Sequence, residues 1–260
     1  MMASVKSNKS LSFLSLLKFK VVRIFLVFVI LTPFYMYFSN DPAKLNKNYP
    51  FVKINKDAIE IEWTDKKPRT WTTLNSISKS ARWAIVLSED WSFYQHEGVD
   101  FEELKKALDD SLKEGRLVRG ASTISQQVVK NVFLSHSRSL WRKVHEFILT
   151  YRMEKGVPKS KILETYFNIV EFGPNIYGIH QASYHYFGKH PSALNPREGS
   201  FLAMLLPSPK RYYVSFKRKK LSNFARYRIK ANLRKLKWGR IITEEERIMW
   251  EQSKFPWELP

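Results

Sequence analysis

Leu140-Trp141-Arg142-Lys143-Val144-His145-Glu146-Phe147-Ile148-Leu149-Thr150-Tyr151 is the stretch from which the fold class is read. Apolar residues recur at intervals of three and four, at Leu140, Val144, Phe147, Ile148 and Tyr151, which is the period of one face of an α-helix. The same stretch holds Arg142, Lys143 and Glu146, spaced so that both cations reach the carboxylate along that helix. A surface salt bridge accounts for the trio; a functional reading makes the cations phosphate ligands, with Glu146 orienting them or touching substrate.

Working outward, similar periodicity begins near Ser76, and a mostly α domain is expected. Thr123 with Gln126, and Asn195-Pro196 with Glu198, read as capping boxes that start helices; Gly156 with Pro158 ends one helix and Gly173-Pro174 the next. Gly120 to Asn131 (GASTISQQVVKN) places a glycine and hydroxyls at a helix start, where free N–H groups and the dipole suit an anion. Ser122, Thr123, Gln127, Lys130 and Asn131 are its candidate ligands, the last three sharing a face. Ordinary capping explains Thr123 and Gln126 but not the density of amides and hydroxyls. Upstream, Glu89-Asp90 follow the apolar run Trp83 to Leu87 and precede Phe93, His96 and Gly98. A carboxylate ending an apolar helix among aromatics is where desolvation lifts a pKa towards that of a general base, although such pairs taken alone are usually solvated. His180, His185 and His190 recur every five residues, turning about 140° around a helix each time, so no metal site is read from them.

The chain has 260 residues, no cysteine and a net charge of +20. That surplus favours nucleic acid, anionic membrane or pyrophosphate without choosing among them, and the lack of thiols removes disulfides and thiolate metal sites. Val21 to Phe38 is nearly all apolar and would span about 27 Å as a helix, close to a bilayer's thickness. It ends in aromatics with no small-x-small cleavage site, so it is expected to stay attached as an anchor. Lys6, Lys9, Lys18, Lys20 and Arg23 precede or open it, which leaves the N-terminus cytoplasmic. The expected organisation is a basic tail over 1–20, an anchor over 21–39, a stalk over 40–75 with a short extended piece at Ile59 to Trp63, and a catalytic domain over 76–260. Pro207 to Arg240 carries 13 Lys or Arg and no acid, suiting anionic headgroups or a merely solvated face.

Together the clusters resemble the peptidoglycan glycosyltransferases of family 51. The motifs occur in order: Glu89-Asp90 with Phe93, His96 and Gly98; Gly120 to Asn131; Arg142-Lys143 with Glu146; Ile162-Leu163-Glu164 with Tyr166, Asn168, Gly173, Gly178, Ala182 and Tyr186 to Lys189; and Leu206-Pro207-Ser208-Pro209. Ala121, Ser125, Thr150 and Phe167 depart from the family's usual residues but roughly keep their size or polarity. The chain looks like the monofunctional form anchored in Gram-negative inner membranes, with no transpeptidase domain expected after Pro260. The resemblance implies a lysozyme-like helical domain behind one transmembrane helix, with its catalytic part periplasmic. It implies Glu89 as the base that activates the 4-hydroxyl of N-acetylglucosamine, so that this oxygen displaces undecaprenyl pyrophosphate from the donor glycan with inversion. Lys130, Arg142 and Lys143, helped by Thr123 and Gln127, would take the leaving group's charge. Glu146 would be the second essential carboxylate; Asp90, Phe93, His96, Ser122 and Asn131 would complete the substrate site. The implied partners are lipid II, the growing glycan, the membrane and other wall-synthesis proteins, and not nucleic acid. No cofactor is required, with a magnesium or manganese ion at the pyrophosphate as an optional addition. Two rival readings are a lytic enzyme on the same fold, which has no use for converging cations, and a membrane-tethered non-catalytic or nucleic-acid-binding protein, which would leave Glu89 replaceable.

Overall fold

The computed structural model describes residues 34–55, 58–116, 120–135 and 139–258, with Lys20, Val22, Arg23, Leu31 and Thr32. The described residues are mostly helical, and the strands among them form two small antiparallel hairpins. Among the described residues no helix is long and apolar enough to cross a membrane. Most of the span expected at Val21 to Phe38 lies outside the described residues.

Residues 40–75, expected as a stalk, lie along the domain. Leu45 is fully buried, and strands β1 (Tyr49–Ile54) and β2 (Ile59–Thr64) pair from Tyr49 opposite Thr64 to Ile54 opposite Ile59. The extended piece read at Ile59 to Trp63 is thus β2. Side chains of the later helix α5 (Lys159–Ile169) fix this segment, since Glu164 accepts the Trp71 indole N–H at 2.8 Å and Asn168 bonds both backbone groups of Thr72.

The core has two helical groups. In the first, α1 (Lys79–Glu89) crosses α7 (Pro196–Leu205) so closely that a Cβ on Gly199 would lie 2.5 Å from the Ala81 Cα. All ten residues of α7 are buried, as expected of a helix enclosed on every side. Helix α10 (Asn223–Trp238) covers both, and its Asn232 donates to Ala84 O at 2.8 Å and accepts from Ser200. In the second group, α3 (Ile124–Phe133) packs on α4 (Leu140–Gly156) and α5. Between α1 and α3 in sequence, α2 (Phe101–Glu114) is capped by Asp100 and ends at Gly115 in the left-handed conformation. Helix α6 (Ile179–Phe187), the short turns α8 (Pro209–Tyr212) and α9 (Val214–Lys217), and α11 (Glu244–Gln252) are the remaining labelled helices among the described residues.

Two expectations need correction. Helix α5 ends at Ile169, and Gly173 instead closes β3 (Glu171–Gly173) before a Pro174-Asn175 turn into β4 (Ile176–Tyr177), with Asn175 at φ 61°. The apolar stripe that identified α4 is not its buried face. Leu140, Val144 and Tyr151 are exposed, and the helix packs through Glu146, Leu149, Thr150 and Met153. Periodicity reveals that a helix has an apolar side, but not which neighbour covers it.

Candidate active site

Glu89 is the last residue of α1, half-buried, and accepts a 3.1 Å hydrogen bond from the Gln127 amide on α3. The same amide's oxygen faces the Tyr166 hydroxyl at 3.4 Å. Desolvation raises the Glu89 pKa, and the Gln127 bond and the charges of Arg228 and Lys235 oppose that rise. Lys130 lies one turn beyond Gln127 on α3. Desolvation lowers its pKa most; Arg142 and Lys143 repel it, while Glu146 and Glu89 attract it. Lys130 therefore feels both the carboxylate of α1 and the charged cluster of α4. Among the described residues it makes no direct ion pair.

On α4 the buried Glu146 carboxylate is divided between two cations, with Arg142 Nη1 at 3.0 Å from one oxygen and Lys143 bonded to the other. Three cations against one carboxylate leave a local positive surplus. A divalent ion does not fit here, because each Glu146 oxygen is already held by a cation and two positive side chains would face the metal. An open apolar groove of about 240 Å³ begins beside Lys143 and Ser122 and runs between α2 and α4 past Leu104, Ala107, Leu108 and Phe147.

Several expected ligands frame this site without lining it. Phe93 is wholly buried. Asp90 accepts from His96 Nε2 at 3.0 Å and from the Ile124 N–H at 2.8 Å, while His96 Nδ1 accepts from the Gly98 N–H, which places the ring proton on Nε2. Thr123 donates to Gly98 O at 2.6 Å and exchanges both capping-box bonds with Gln126. The start of α3 is accordingly not open to an anion, because these bonds use the N–H groups of Thr123, Ile124 and Gln126. Ser122 is exposed at the groove and Asn131 is half-buried.

Sequence reasoning missed Arg228 and Lys235. Lys235 donates to Leu87 O at 2.7 Å, tying α10 to the end of α1, and both charges act on Glu89. They were read as part of a uniform basic run. Their spacing of seven, two turns of one helix face, was the available signal.

The site unites the end of α1, one face of α3 and the charged turn of α4, and the transglycosylase family model matches residues 56–237, which contain all three. The chain belongs to the transglycosylase family. It is 41% identical over 167 residues to the biosynthetic peptidoglycan transglycosylase of Azoarcus sp. strain BH72, covering 64% of this chain and 72% of the relative. The protein of the same name from Herminiimonas arsenicoxydans is 34% identical over 205 residues, or 74% of this chain and 88% of the relative. That from Acinetobacter baylyi is 44% identical over 153 residues, or 58% and 68%. Membership makes the chain an enzyme of the glycosyltransferase class.

Proposed function

We propose that this enzyme polymerises lipid II into glycan strands on a lysozyme-like domain held at the outer face of the bacterial inner membrane. The observation that carries the reading is the Gln127–Glu89 hydrogen bond, which sets the carboxylate against the face of α3 that also bears Lys130, with the paired Arg142, Lys143 and Glu146 on α4 packed beside it. Base and cations thus stand on three helices, α3 bonded to the end of α1 and packed on α4, with Lys143 lining the apolar groove. Glu89, its pKa lifted by desolvation, takes the proton from the acceptor's 4-hydroxyl, and that oxygen forms the new bond to the donor's anomeric carbon as the pyrophosphate leaves. The electron pair of the broken bond goes to the pyrophosphate. Lys130, Arg142 and Lys143 stabilise its charge where it develops, and Glu146 holds the latter two cations in place. A lytic enzyme acts on neutral sugar and gains nothing from this surplus. On the other flank of Glu89, Arg228 and Lys235 suit the acceptor's own diphosphate.

Membrane attachment rests on the apolar run at Val21 to Phe38 and on an exposed apolar face. Phe101, Leu104, Leu108 and Leu112 of α2 and Leu140, Val144 and Tyr151 of α4 are exposed among the described residues, a surface that suits lipid better than water. The groove between these helices suits the first isoprenoid units of a lipid tail. Topology is proposed as single-pass with a cytoplasmic N-terminus, and other wall-synthesis proteins are proposed partners. The deciding experiment gives purified full-length chain radiolabelled lipid II. Long glycan from the parent and none from Glu89→Gln supports the reading, whereas equal polymerisation by the variant removes Glu89 from the mechanism.

A further inference from the structure

The chain enters the domain on the helix that carries the cations. Residues 34–38 are helical and mostly exposed, with Met36 turned inward. On α4, His145, Arg152 and Gly156 recur at intervals of seven and four and so form one stripe. Ser39 Oγ donates to Met36 O at 3.1 Å and accepts from His145 Nε2 at 2.9 Å. Arg152 Nη1 donates to Asn40 O at 2.6 Å and also to Tyr37 O. Its guanidinium sits 4.4 Å from the centre of the Tyr37 ring and 3.9 Å from an Asp41 oxygen. Below them Asn46 donates to Gly156 O at 2.8 Å.

The last carbonyls of a helix lack partners within it and carry the negative end of its dipole, so a cation there satisfies both needs. Arg152 fills that place at the end of the helical residues 34–38. His145 and Arg152 use their polar groups on residues 36–41 and not on the groove. Arg142 and Glu146 lie about 60° and 100° around α4 from His145, on the side facing Lys130.

We propose that His145 and Arg152 are positioning residues that join the N-terminal membrane segment rigidly to α4, fixing the height and tilt of Lys130, Arg142 and Lys143 over the bilayer. This rests on the reading of the chain as membrane-anchored with a lipid-linked substrate. The phosphates of such a substrate are confined to the headgroup plane. A flexible tether of five or six residues would let the domain wander by about 12 Å, beyond the screening length of about 8 Å in physiological salt. The joint removes that freedom.

The absence of cysteine lets Tyr35→Cys and Lys230→Cys, both exposed, carry spin labels in the full-length chain in vesicles of phosphatidylethanolamine and phosphatidylglycerol. The joint gives a narrow distance distribution between the labels, which His145→Ala with Arg152→Gln broadens. In the unlabelled chain the same pair of substitutions lowers polymerisation in vesicles by about tenfold or more, and by less than about twofold in detergent, where no plane confines the substrate. A broad distribution in the labelled parent, unchanged activity in vesicles, or equal losses in both media overturns the joint. A parent chain that fails to float with the vesicles overturns the anchoring itself, so the two failures are distinct.

Discussion

At Glu89 desolvation and polar support are opposed, and both bear on measurable behaviour. The raised pKa places the acid limb of kcat/KM above the ordinary glutamate value, and Glu89→Gln lowers kcat by about 10²- to 10⁴-fold, the usual worth of a general base. Stability moves the other way. A carboxyl whose folded pKa exceeds its unfolded one binds more protons when folded, so its penalty appears as pH rises through the unfolded value and is complete above the folded one. Glu89→Gln is therefore expected to melt at or above the parent's temperature at neutral pH, with the difference vanishing below the unfolded pKa. Calorimetry across pH checks this, and a variant that melts lower at every pH refutes it. Lys235 holds the Glu89 pKa down, so Lys235→Gln shifts the acid limb of the pH–rate profile to higher pH. Lys130→Ala and Arg142→Ala lower turnover by about 10²- to 10³-fold while leaving flotation with anionic liposomes unchanged. Equal losses in both assays would instead mark the cations as adhesive.

Among the elements, the junction of the loop at 90–98 with α3 is the most constrained. Gly98 sits at φ +98°, and a Cβ there would lie 2.7 Å from the Thr150 methyl. Gly98→Ala is expected to cost about 1–3 kcal/mol and to lower the melting temperature by about 2–10 °C, as read by circular dichroism. A melt matching the parent's would show that this backbone is not strained by a side chain. The capping boxes at Thr123 and Asn195 were legible in the sequence because every contact in them spans three residues. The bond between Glu89 and Gln127 was not, since it joins residues 38 apart and depends on how α1 and α3 pack. Asp90 shows the same limit. A carboxylate beside a candidate base reads as a ligand, yet it caps a helix 34 residues away. The order of the motifs located the three parts of the site, but that Arg228 and Lys235 approach Glu89 depends on how α10 packs on α1, which their shared helix face does not reveal.

Across the whole molecule, the exposed face of α2 and α4 borders the groove that begins at Lys143, so attachment and chemistry share one surface. Leu108→Gln with Leu140→Gln, both exposed, should leave the melting temperature unchanged and raise the apparent KM for lipid II in vesicles by about a hundredfold or more, because about 1.5–3 kcal/mol is lost per fully buried leucine. Unchanged KM would detach that face from substrate capture. The same part of the molecule is fastened at its base, where Asp90 holds Ile124 and Thr123 holds Gly98. The two bonds bring the start and the end of the segment around α2 together, so Glu89 and Gln127, which lie outside it, keep their spacing without drawing on α2.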